Sequence, residues 1–138
     1  MLPKIITFTI YIYHMERADK YVPRTANARP WNEIEAHYLN LNEHGWGHDK
    51  LLALVRHIKS TGLSNRLFAF TSLDKLVISI YEVIEWNRES LHIEFDRDAQ
   101  KWSFKYFSKP FQDAEFIRQY DTDAGIEKFD HFVSLIKW

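Results

Sequence analysis

The stretch that most constrains this chain is residues 66–109, where apolar and polar side chains alternate through four successive runs. A period of two belongs to strands with one buried face, so the pattern calls for a small antiparallel sheet. Residues 67–71 and 76–82 are two strand-like runs, and Ser72, Leu73, Asp74 and Lys75 between them suit a tight connection. Residues 90–95 and 102–107 form the clearest hairpin, with Asp96, Arg97, Asp98 and Ala99 supplying the turn chemistry. Leu91, Ile93 and Phe95 share one face, and Trp102, Phe104 and Tyr106 offer the matching apolar set. A one-residue slip would send all of them into solvent, which specifies the register strongly.

Around this sheet the periodicity changes to that of helices. Trp31, Ile34, Tyr38 and Leu41 recur at three- and four-residue steps after Pro30, predicting a helix with Pro30 in its first turn. Gly45 and Gly47 in EHGWGH stop it, and Asp49 is the predicted N-cap of a second helix whose Leu51, Leu54, Val55 and Ile58 share a face. Gly62 falls where a left-handed residue should end that helix, with Leu63 folding back onto its last turn. After Pro110, residues 113–120 read as a short helix. Thr122 or Asp123 caps a final helix with Ile126, Phe129, Val133 and Ile136 in one stripe. At the other end, residues 4–13 (KIITFTIYIY) alternate as a strand, and residues 14–30, with Pro23 and Pro30, read as a long loop. No repeat, linker or low-complexity tract divides the chain. The expectation is one α+β domain over residues 1–138, a single antiparallel β-sheet of about four to five strands with helices packed on it.

A chain of 138 residues with ten Phe, seven Tyr and five Trp can bury a real core. Eighteen Lys and Arg against nineteen Asp and Glu leave a net charge of −1, so no global field draws it to nucleic acid or anionic membrane. The absence of cysteine excludes disulfides, thiolate metal sites and a cysteine nucleophile, and fits a reducing cytosol. Residues 5–13 are too short to span a bilayer and lack the small-residue cleavage site of a signal peptide, so a cytoplasmic protein is expected.

The residues that bear chemistry divide into three groups. His44 and His48, with Asp49 beside them, have the spacing of a metal or acid–base pair on a helix, but two glycines break the helix between them. His37 and His57 lie on the flanking helices, and His92 and His131 read as polar-face residues. Phosphate-cradling loops, nucleophile elbows and dinucleotide patterns are missing, and no cofactor is expected. Arg17, Lys20, Arg24 and Arg29 surround Tyr21, but Glu16 and Asp19 dilute them, so nucleic acid is not the expected partner. The third group is acidic. Glu82, Glu85, Glu89, Glu94, Asp96 and Asp98 face only Arg88 and Arg97 within residues 82–98, and Asp113, Glu115, Asp121 and Asp123 precede the last helix. Trp46 and Trp86 fit no core stripe and are the candidate anchors of a protein interface, with Glu82, Glu85, Glu89, Asp113, Glu115 and Asp121 as its charged rim.

The segments LFAFTSLDKLVIS (67–79), LHIEFD (91–96), WSFKYF (102–107) and GIEKFDHFVSLIKW (125–138) together resemble small bacterial immunity proteins of polymorphic or contact-dependent growth-inhibition toxin systems. The resemblance covers residues 31–138. It implies a non-enzymatic cytoplasmic antitoxin that binds and blocks a cognate toxin domain, often a nuclease with a basic substrate face. Two other readings stay open: a small hydrolase or metal-binding enzyme centred on His44, His48 and Asp49, and a subunit that self-associates through an exposed strand edge.

Overall fold

The structure, a computed structural model, describes residues 23–138. The strand read over residues 4–13 and the first part of the loop read over 14–30 lie outside the described residues. The fold is α+β. Strand β1 (Thr25–Asn27) leads into helices α1 (Trp31–Glu43) and α2 (Asp49–Ser60). Strands β2 (Phe68–Ser72), β3 (Lys75–Ser79), β4 (Val83–Glu85), β5 (Ser90–Asp96), β6 (Lys101–Phe107) and β7 (Phe116–Asp121) follow, and helix α3 (Gly125–Ile136) closes the chain.

Five strands form the main sheet in the order β2-β3-β5-β6-β7, and every neighbouring pair is antiparallel. The expected register holds: Leu91, Ile93 and Phe95 stand opposite Tyr106, Phe104 and Trp102. Their face carries the main core, closed from above by Ile34 and Tyr38 of α1, Leu51, Leu54, Val55 and Ile58 of α2, and Phe129, Phe132 and Val133 of α3. Gly62 takes the left-handed conformation, and Leu63 is buried behind it. Pro30 stands one residue before α1 as its cap, and His48, not Asp49, is the cap residue of α2.

Three expectations need correction. Residues 113–120 were expected as a helix, but they supply edge strand β7. Phe116 and Tyr120 lie four apart, a spacing that one face of a helix and one face of a strand both satisfy. The open edge of β6 decides the matter by pairing Tyr106 with Phe116 and Trp102 with Tyr120. The second correction is that the sheet does not stand alone. β1, which falls within residues 14–30 expected as a loop, pairs with β4 in a two-stranded ribbon, extended by the Trp86 N–H donating to the Arg24 carbonyl at 2.8 Å. The ribbon lays Ile84 over Phe70 and Val77 on the sheet's second face, making a smaller core with Ala26, Ala28, Phe68 and Trp86 around it. The third concerns His92, expected on a polar face. It stands beneath Trp86 and is only 3% exposed.

Candidate functional site

The strands carry the candidate residues to two opposite ends of the sheet. One end, the turn pole, is built by three connections: the α1–α2 elbow, the β2–β3 turn and the β5–β6 turn. Side chains tie the three together. Arg97 donates from Nη1 to the Gly45 carbonyl at 2.7 Å, and its side chain passes so close to Gly47 that a Cβ there would meet Arg97 Cδ at 2.5 Å. His37 donates from Nε2 to the Leu73 carbonyl at 2.9 Å, and the Tyr38 hydroxyl donates to the Asp74 carbonyl at 3.0 Å. His48 Nε2 lies 3.1 Å from Asp74 Oδ2, and the His48 backbone N–H donates to Asn42 Oδ1 at 2.5 Å. Burial and the nearby Asp74 charge push the Tyr38 phenol well above its ordinary range, so it remains a donor.

These contacts separate the histidines that spacing had grouped. His48 is 4% exposed, is turned toward Asp74, and leaves its Nδ1 buried without a hydrogen-bond partner among the described residues. His44 is exposed and donates from Nδ1 back to Asn40 O at 2.8 Å. Asp49 is exposed at the first turn of α2. Among the described residues no group of three His, Asp or Glu side chains is placed to hold a metal ion. His57 sits apart between α2 and α3, donating from Nε2 to Asp130 at 2.8 Å, and His131 is exposed on α3.

What the pole does present is apolar. Trp46, flanked by Gly45 and Gly47 at positive φ, is 59% exposed. Its backbone N–H donates to Leu41 O at 3.0 Å, so the indole rides on a fixed turn. Leu73, at the tip of the two-residue β2–β3 turn, is 89% exposed and adopts φ 58°. Asp121, one of the predicted rim residues, also lies at this end, where its rung partner Lys101 pairs with it and holds its carboxyl below the usual carboxylate range.

The remaining candidates sit toward the opposite end. Trp86 is half-buried over the smaller core, edge-on to His92 at 5.0 Å and tilted against Phe70 at 5.8 Å, with Arg24 4.6 Å from its ring centroid. Its carbonyl accepts from the Ser90 hydroxyl at 2.6 Å and from His92 Nε2 at 2.9 Å. Glu85 accepts from Arg88 at 2.9 Å, and Glu89 accepts from the Tyr81 hydroxyl at 2.8 Å. Glu82 is exposed. Asp113 and Glu115 are exposed before β7, where the Glu115 N–H donates to Tyr106 O at 2.9 Å. Burial first, then the charges of Glu89 and Glu115, raise the Tyr106 phenol. The acidic residues of the sequence are thus divided between the ends, and Trp86 has a packing role there.

Sequence reasoning missed Leu73, although its place between two strands was visible. A leucine in a tight turn counts as ordinary until its φ is known.

No protein-family model, no curated protein and no solved structure matches this chain. No helix among the described residues is long and apolar enough to cross a membrane.

Proposed function

We propose that this chain is a non-enzymatic protein-binding module of the immunity kind, which binds a cognate toxin domain in the cytoplasm and neutralises it. The observation that carries the reading is Trp46, a large apolar side chain left 59% exposed on an elbow that Arg97, Asn42 and Leu41 hold in place. Interfaces draw most of their energy from a few such residues, and an anchor carried on a turn that is already ordered costs less backbone entropy on association. Trp86 is engaged by Arg24, Lys75, Phe70 and His92 of this molecule, so of the two tryptophans Trp46 takes the anchoring role.

The test is co-expression with the product of the adjacent gene. The expected result is a one-to-one complex, rescue from that product's toxicity, and loss of about tenfold in affinity in Trp46→Ala. Toxicity that persists despite full expression of the soluble chain overturns the antitoxin reading.

A second reading, self-association, is favoured by a specific observation at the sheet edges. The β2 edge is sealed: the Arg29 N–H donates to Ala69 O at 2.8 Å, Arg29 Nη1 to Thr71 Oγ1 at 3.1 Å, and Trp31 Nε1 to Leu67 O at 3.0 Å. Strand β7 has no strand beyond it among the described residues, and Ile117 on it is 52% exposed. If this edge pairs two copies, mass in dilute solution is that of a dimer and Gln119→Pro returns it to a monomer. A monomer in the unaltered protein removes this reading.

A further inference from the structure

We infer that the turn pole is the docking surface, and that the partner it fits presents an apolar pocket ringed by lysine or arginine; this deepens the protein-binding reading and rests on it. The first observation is that Leu73 breaks two local rules at once. A tight turn that needs a positive φ normally takes glycine, asparagine or aspartate, because a Cβ there crowds the following carbonyl and only a short polar side chain offsets this by local hydrogen bonding. Leu73 nevertheless holds φ 58° and points its side chain outward, 89% exposed. The core gains nothing from it. Residues that violate local preference without a packing return are enriched at functional positions, and Leu73 is the one that lies beside Trp46.

The second observation is that Leu73 and Trp46 belong to one rigid unit. Asp74, next to Leu73, meets His48, two residues after Trp46, and His37 holds the Leu73 carbonyl itself. The β5–β6 turn joins through Arg97 on Gly45. The two turns that carry these apolar side chains are therefore tied to one another, so their backbones need little ordering on docking.

The third observation is the charge around them. The three connections bring Glu43, Asp49, Asp74, Asp96 and Asp98 to this end. Among the cations there, Lys101 is paired with Asp121 and Lys75 with Glu94, Lys50 lies along the Trp102 side of α2, and Arg97 keeps its charge while bonded to the Gly45 carbonyl, which leaves the acids in excess. Asp96 spends one oxygen on the backbone N–H groups of Asp98 and Ala99, at 3.0 and 3.1 Å. The outcome is an apolar centre with a predominantly acidic rim. Such a surface selects cationic partners and speeds their encounter, and it repels acidic ones.

A random peptide library displayed on phage and panned against the whole protein supplies the probe. Enriched peptides are expected to carry an aromatic or leucine flanked by Lys or Arg. Their affinity should fall about tenfold in Trp46→Ala and in Leu73→Gly, and roughly fivefold between about 50 and about 300 mM salt. Leu73→Gly suits the turn's own conformation, so its unfolding midpoint should be unchanged or raised, which separates lost binding from lost folding. Peptides without basic residues, or peptides that bind both variants as tightly as the parent, overturn the inference. So does a dimer of the free protein that Trp46→Ala dissolves, since the pole's occupant is then a second copy. A toxin neutralised equally well by both variants refutes this surface and leaves the antitoxin reading standing, whereas peptide binding at the pole without any neutralised toxin does the reverse.

Discussion

At His92 the fold has replaced water by two aromatic rings and a carbonyl. The ring lies 5.0 Å from Trp86 and 4.9 Å from Phe107, and Nε2 donates to Trp86 O. Burial pushes its pKa down to about 4 from 6.5; the bond to the Trp86 carbonyl opposes the shift, and Lys75 and Lys105 add to it. Between those two values the unfolded chain binds a proton that the folded chain refuses. Stability is therefore intact above pH 6.5, declines as pH falls toward 4, and loses nothing further from this group below that. The full decline is about 3 kcal/mol. His92→Gln keeps a donor for the carbonyl and should flatten the loss, as read from urea unfolding at about pH 7 and about pH 4.5. An undiminished loss would assign the effect to other groups. Leu73→Gly is the second residue-scale prediction. It relieves a left-handed leucine and gives up no burial, so urea unfolding should report a stabilisation of up to about 1 kcal/mol, partly offset by the freer unfolded glycine. Neither residue was legible from sequence. Alternation places His92 opposite Leu91 and Ile93, on what is ordinarily the solvent face, and only the ribbon above buries it.

Elements differ in how openly the sequence announces them. β5 and β6 were legible to the rung because three apolar pairs cannot slip without exposure. β1 and β4 are three residues each, too short for any period to register, and they form because Ile84 has Phe70 and Val77 to cover. β7 was misread because Phe116 and Tyr120 suit both periods. Helix α3 was legible as a stripe, yet its start depends on a contact that sequence hides. Gly125, in ordinary helical geometry, lies against the Trp102 indole, where an added Cβ would meet Trp102 Cε2 at 2.1 Å. In an exposed helix a glycine-to-alanine change stabilises by about 1 kcal/mol. Here the clash is with a fully buried ring whose Nε1 donates to Thr122 O at 2.9 Å, so it cannot swing away without losing that bond. Overpacking wins, and Gly125→Ala should destabilise by about 1 to 3 kcal/mol net, measured by thermal or urea unfolding. A neutral or stabilising result would mean that α3 shifts along the sheet at little cost.

For the whole molecule, the two faces of the sheet carry unequal loads. The helical face holds the large core, with Phe104, Ile93, Leu54 and Phe129 fully buried, while the other face has only Phe70, Val77 and Ile84 beneath the ribbon. Beyond the ribbon, β5, β6 and β7 leave an open trough of about 720 Å³ whose lining includes Glu94, Lys105, Ile117 and Gln119. The turn pole hangs on α1, α2 and the strand turns, so it belongs to the large core. Loosening the ribbon should then leave docking intact. Ile84→Ala empties the centre of the small core at a cost of about 2 to 4 kcal/mol. Hydrogen exchange should show β1 and β4 losing protection first while β5 and β6 keep theirs, because a satellite cluster can open without the sheet. Phe104→Ala, with a cost of about 3 to 5 kcal/mol, should instead lower protection across every strand together. Peptide affinity at the pole should match the parent's in Ile84→Ala wherever the chain remains folded. Uniform loss of protection in Ile84→Ala would mean that the two cores open as one unit, and the pole would then weaken with the ribbon.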